Sequence, residues 1–182
     1  MSIDSGRAYI GAYMYLLSPG SPFIFYGEEI CMLGSSGNAD TDANRRLAML
    51  WGDKDTVKDP IGTTYKKELQ VNGTVKSQEK DKNSLLNHYK KLVQIRNAYP
   101  EIARGEYKSI ETNMNYFGGF TSTYNNFIIG VFHNTSTAEL KIDLSKYTDI
   151  KFSELKTFAG LNEAKFENGI LVIGGQTSAI LK

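Results

Sequence analysis

The chain is 182 residues long, with a formal net charge of +1, 41% hydrophobic residues and a single cysteine. That length holds one ordinary domain, or a piece of a larger one with a small domain beside it. The near-zero charge argues against nucleic acid as a default partner and gives no membrane-surface signal, the 11 Tyr and 9 Phe indicate a real core, and the lone Cys31 excludes an intrachain disulfide.

No basic stretch followed by an apolar run and a small-residue cleavage site opens the chain, so no signal peptide is expected. Residues 4–18 read as a helix, with Asp4 as N-cap and Pro19-Gly20 as the stop. Ala8, Tyr9, Ala12, Tyr13, Leu16 and Leu17 share one face, while Ile10, Met14 and Tyr15 make the other side apolar as well. Such a helix expects neighbours on more than one side, yet its apolar stretch is too short to span a bilayer.

Residues 22–26 are continuously apolar, the pattern of a strand buried on both faces of a parallel sheet. From 34 to 83 the chain is polar and irregular, a length that in compact domains marks a functional excursion. Asn83 or Ser84 then caps an amphipathic helix over 85–98, with Leu85, Leu86, Tyr89, Leu92, Val93 and Arg96 on its inner side and Pro100 as the stop.

Beyond Pro100 the texture changes. The runs 106–110, 117–124, 127–132, 139–144, 154–158 and 170–173 are short and rich in β-branched and aromatic residues, with 178–181 as a candidate seventh. Tyr124-Asn125-Asn126-Phe127 and Glu167-Asn168-Gly169-Ile170 carry hairpin-turn signals. An antiparallel β module is expected, beginning near 100–105. There is no internal repeat and no low-complexity segment.

Three phrases carry a family resemblance. They are Ser18-Pro19-Gly20-Ser21-Pro22-Phe23-Ile24-Phe25-Tyr26-Gly27-Glu28-Glu29-Ile30, then Arg46-Leu47-Ala48-Met49-Leu50-Trp51, and then residues 78–97 followed by Gly105-Glu106-Tyr107. In this order they resemble the α-amylase superfamily of glycoside hydrolases, from the exit of the eighth barrel strand to the last barrel helix and the C-terminal β domain. The resemblance implies an α+β fragment: the last βα units of a TIM-type barrel over 1–102, with a long loop at about 34–83, then an antiparallel β-sandwich over 103–182. It implies a parent that cleaves α-glucosidic bonds by a retaining double displacement, on an α-glucan or maltooligosaccharide. The family's nucleophilic Asp, acid Glu and third Asp lie on earlier loops and have no counterpart here. No catalytic residue is therefore assigned, and the polypeptide is expected to be inactive alone.

Could other carboxylates substitute? Retaining chemistry needs two carboxyls about 5 Å apart on one sugar site. Glu28 and Glu29 are adjacent and in an extended segment point to opposite sides. Asp40 and Asp42 have no evident partner, and Asp40-Thr41-Asp42-Ala43-Asn44 is no calcium loop, since Arg45 takes the glycine position and no Glu closes it. His88 and His133 with one Cys give no metal-ligand spacing, and no cofactor is expected.

The substrate-cleft candidates are Glu28, Arg46, Tyr26 and Trp51. The Arg46 guanidinium suits sugar hydroxyls or a carboxylate, and equally a structural ion pair holding the loop. Tyr26 and Trp51 suit stacking on sugar rings or packing at the barrel mouth. Two further readings stay open: a non-catalytic carbohydrate-binding or interaction module, weakened by the absence of Trp from 103–182, and the tail of a related α-glucan transglycosylase. The compartment is open, the family's starch-degrading members often being exported. Leaving the first helix's six inner side chains exposed would forgo about 9 to 18 kcal/mol. Residues 4–33 are therefore expected to pack on the β module, in a homodimer or on a partner chain.

Overall fold

The computed structural model describes residues 5–35, 42–52, 54 and 57–182. The expected cap Asp4, and Asp40 of the loop, lie outside them. Two compact units arise, one from residues 1–5 and 23–89, the other from 6–22 and 90–182.

In the second unit, α1 (Ser5–Leu16) ends ahead of Gly20, whose φ of +96° a glycine adopts without strain. Tyr9, Ala12, Tyr13, Leu16 and Leu17 are buried. The β module covers Tyr13: its ring stacks on His133 at 5.5 Å, and its hydroxyl donates to the Asn134 carbonyl at 3.0 Å. Arg96 closes the other end of the helix. Its Nη1 donates to the carbonyls of Leu16 and Ser18, each at 2.7 Å, and its Nη2 to that of Gly20. These carbonyls are the ones a helix end leaves without partners.

The module is all antiparallel. Strands β1 (Glu106–Ile110), β2 (Phe117–Tyr124), β3 (Phe127–Asn134), β4 (Leu140–Asp143), β5 (Leu155–Gly160), β6 (Ala164–Glu167), β7 (Ile170–Ile173) and β8 (Thr177–Leu181) form two sheets. The orders are β1-β2-β3-β8-β5 and β4-β7-β6. Both hairpin signals hold. Asn125 and Asn126 have φ of 48° and 65°, and Asn168 and Gly169 have 51° and 79°, the positive pair that a two-residue hairpin turn requires. Ile110, Phe117, Phe132, Ile142, Leu171, Ile173 and Leu181 form the core, with Phe117 stacked on Phe132 at 6.0 Å.

One helix, α3 (Leu85–Ala98), carries the chain from the first unit into the second. Ser84 caps it, its Oγ accepting from the Asn87 amide. Leu85, Leu86, Tyr89 and Leu92 are buried as expected, but Val93 is exposed and Ile95 is buried instead. Position 95 continues the 85-88-92 spacing of a helical face; 93 steps about 100° off it. Pro100 stops α3 and also opens the short α4 (Pro100–Arg104), where its missing N–H costs nothing.

The first unit departs most from expectation. Residues 22–26 form no strand ladder, and Phe23 and Phe25 are 89% and 62% exposed. A parallel strand exists only through neighbours that accept its backbone hydrogen bonds, and the described residues supply none. The described part of the loop beyond is more ordered than its composition suggests. It holds α2 (Val75–Lys80), opened by a reciprocal capping box between Thr74 and Ser77.

Candidate functional site

The polypeptide leaves residues 23–26 through a tight turn. Glu28, Glu29 and Ile30 form one 3-10 turn flanked by left-handed residues, Gly27 (φ 90°) and Cys31 (φ 53°), and the Met32 amide closes it on the Gly27 carbonyl at 2.8 Å. The segment is thus not extended at the two glutamates. On a 3-10 turn successive side chains diverge by about 120°, so Glu28 and Glu29 still do not face one sugar.

Polar side chains, not apolar ones, hold the rest of the loop to this turn. Gln70 clasps Leu33 by both backbone groups, with distances of 2.8 and 2.6 Å. Asn72 Nδ2 donates to the Cys31 carbonyl. Gln78 Nε2 donates to the carbonyls of Ile30 and Asn72, and its Oε1 accepts from the Leu86 amide. Asn44, 1% exposed, accepts from the amides of Thr64 and Tyr65 and donates to Thr64 Oγ1. Gly34 is required here, because a Cβ would sit 2.6 Å from the Asn44 carbonyl. None of these hooks has a periodic signature in sequence.

The result is a small concave patch of about 110 Å³, lined by Tyr26, Glu28, Asn44, Arg45 and Leu47 among others. Two of the four candidates, Tyr26 and Glu28, border it. Glu28 Oε1 accepts from the Tyr89 hydroxyl at 3.3 Å, and the Tyr26 hydroxyl donates to the Leu47 carbonyl at 3.0 Å. The Tyr26 ring is half-exposed beside Phe25, with centroids 5.1 Å apart. Sequence reasoning missed Tyr89 as the partner of Glu28, since the two are 61 positions apart.

Arg46 and Trp51 do not border the patch. Arg46 Nη2 bonds Asp42 Oδ2 at 2.9 Å, while Arg45 takes Asp42 Oδ1 at 3.3 Å. Both pairs are exposed, and such pairs contribute at most about 1 kcal/mol. Arg46 is therefore tied to Asp42 weakly enough to exchange it for another acceptor. Trp51 is 58% exposed, and its carbonyl accepts from the Lys76 amide, fixing the backbone but leaving the ring open. Glu29 Oε2 is buried and has no hydrogen-bond partner among the described residues. Those residues hold no group of three or more His, Cys, Asp or Glu able to bind a metal.

Comparison with known proteins bears on the same segment. The alpha-amylase catalytic-domain family matches residues 5–105. Alpha-amylase SusG of Bacteroides thetaiotaomicron is 30% identical over 189 residues, covering 98% of this chain and 26% of SusG. Alpha-amylase 3 of Dictyoglomus thermophilum is 30% identical over 185 residues, covering all of this chain and 34% of that protein. The chain thus spans between a quarter and about a third of these curated relatives. Among solved structures, Eubacterium rectale Amy13B superposes with a TM-score of 0.86 at 26% identity, over 100% of this chain and 35% of its own. An alpha-amylase from H. orenii gives 0.76 at 28% identity, over 98% and 35%. The trehalulose synthase MutB, at 19% identity and a TM-score of 0.75, shares the fold alone. Matched from the helix ahead of Pro19-Gly20 through to Gly105, more than half its residues, the chain belongs to the alpha-amylase family of glycoside hydrolases.

Proposed function

We infer that these 182 residues are the part of an α-glucan-cleaving hydrolase that shapes one rim of the cleft and carries the β domain. In this reading residues 1–102 belong to the catalytic barrel and 103–182 form the C-terminal domain. The nucleophile and general acid come from other parts of the enzyme. Residues 27–51 bring Glu28, Arg46 and Trp51 to the rim next to Tyr26, on the side where loops after barrel strands carry function.

The observation that carries this reading is the patch bordered by Tyr26 and Glu28 directly after the apolar segment 23–26, which has no strand partner among the described residues. A rim needs a segment that pairs with the barrel and a loop held rigid above it. The Gln70, Asn72, Gln78 and Asn44 hooks supply the second. Arg46, free to leave Asp42 at small cost, suits a sugar hydroxyl or a carboxylate.

Removing nucleophile and acid removes the chemical step, leaving at most weak binding. The purified 182-residue chain is therefore expected to release no chromophore from a chromogenic maltooligosaccharide. Turnover that disappears in Glu28→Gln or Asp42→Asn would mean the chemistry resides in this loop, and the reading would be wrong.

A further inference from the structure

The second unit contains a groove that the rim does not explain. It lies on the outer face of the larger sheet, between the C-terminal end of α1 and the β2–β3 hairpin, with a volume of about 390 Å³. That is within the range of about 300 to 1,000 Å³ typical of ligand pockets. The register pairs Gly118 with His133 and Phe120 with Val131, so Gly118 and Phe120 point to the face on which Tyr13 covers His133. Tyr116 stands at the entrance, 61% exposed, its carbonyl bonded by the Thr135 amide at 2.8 Å.

Two glycines separate packing from function. Gly119 is required by packing, since a Cβ there would lie 2.2 Å from the Val131 carbonyl. A Cβ on Gly118 would meet nothing within 4 Å, and its backbone is not left-handed. Glycine inside a strand weakens it and often marks close approach of a ligand. A side chain at 118 would project into the groove, and glycine keeps it open.

The lining selects the ligand class. It contains no Asp, Glu, Lys or Arg, and burial lowers the pKa of its one histidine, His133, to about 4, leaving it neutral at ordinary pH. Phosphates and acidic or basic peptides therefore find no counter-charge. Apolar groups (Tyr116, Phe120, Met14) line the groove together with hydrogen-bonding ones (Asn115, Thr135, Ser18), the Thr135 and Ser18 hydroxyls donating to the Tyr116 and Met14 carbonyls. The Asn115 side chain and the exposed Tyr116 ring both line it. A pyranose presents the matching pattern, an apolar C–H face bounded by hydroxyls. We propose that this groove is a second saccharide site, which binds a neutral oligosaccharide chain by stacking on Tyr116 over the bare backbone at Gly118. An α-linked glucan as occupant rests on the proposed function; the preference for a neutral saccharide does not.

The test is 15N–1H NMR of the whole chain titrated with maltoheptaose and, separately, cellohexaose. Saturable shifts are expected at 115–120 and 133–135. Tyr116→Ala should weaken them about tenfold, and Gly118→Val should abolish them while spectral dispersion reports an intact fold. Shifts there with cellohexaose alone would keep the groove as a saccharide site and count against the α-glucan reading. Shifts confined to 26–51 would support the rim and overturn the groove. So would silence at 115–120 with both sugars, or shifts unaltered in both variants.

Discussion

His133 sits at the contact between α1 and the β module, 7% exposed, with Tyr13 stacked on its ring and Ser178 Oγ 2.6 Å from Nδ1. Burial lowers its pKa from 6.5 to about 4, and burial likewise raises that of the Tyr13 phenol. The unfolded chain therefore takes up a proton at about 6.5 that the folded chain refuses until about 4. Stability contributed by neutral His133 is full above pH 6.5 and is lost as pH falls through that window, to a total on the order of 3 kcal/mol. Urea unfolding at pH 7, 6 and 5 should show this decline, and His133→Gln should remove most of it. Parallel profiles for the two proteins would mean that the site accommodates the proton. Sequence gave no hint of this placement, because a histidine at a strand end has the same appearance whether solvated or stacked. Arg96 is similar: the helical spacing put it on the inner side, but its grip on the carbonyls of Leu16, Ser18 and Gly20 depends on a chain return some eighty residues away.

At the scale of elements, legibility followed the source of the signal. The helix at 85–98 was legible from its amphipathic spacing, and the strands at 106–110, 117–124 and 170–173 from their β-branched and aromatic content between local turns. β6 (Ala164–Glu167) was missed; four residues with one aromatic carry too little pattern, although the Asn168-Gly169 turn already demanded a partner for β7. The loop 34–83 was legible only as polar. Its order comes from side-chain amides that bond backbone groups six to forty-eight positions away, and no composition rule registers such pairs. Gln78 is the strongest case. Gln78→Ala would leave the Ile30 and Asn72 carbonyls and the Leu86 amide without their partner, at a cost on the order of 3 kcal/mol to the first unit. Limited proteolysis should then cut within 30–34 and 70–74 much faster than in the parent chain. Unchanged cleavage would show that water replaces the amide.

Across the whole molecule, the first helix and the segment after it have different fates. The β module contacts α1 through Tyr13, and Tyr13, Leu16 and Leu17 are fully buried within the chain. Residues 23–26 receive no such replacement, because a helix face accepts any well-shaped apolar neighbour whereas a strand needs backbone partners in register. In the proposed reading, the rim stands on a segment that would pair with strands other than those of the described residues. Hydrogen exchange on the intact chain tests this most directly. Amides at 23–26 should exchange at the shortest labelling time, while those of α1 and β3 remain protected. Protection at 23–26 comparable to β3, or an unprotected α1, would contradict it.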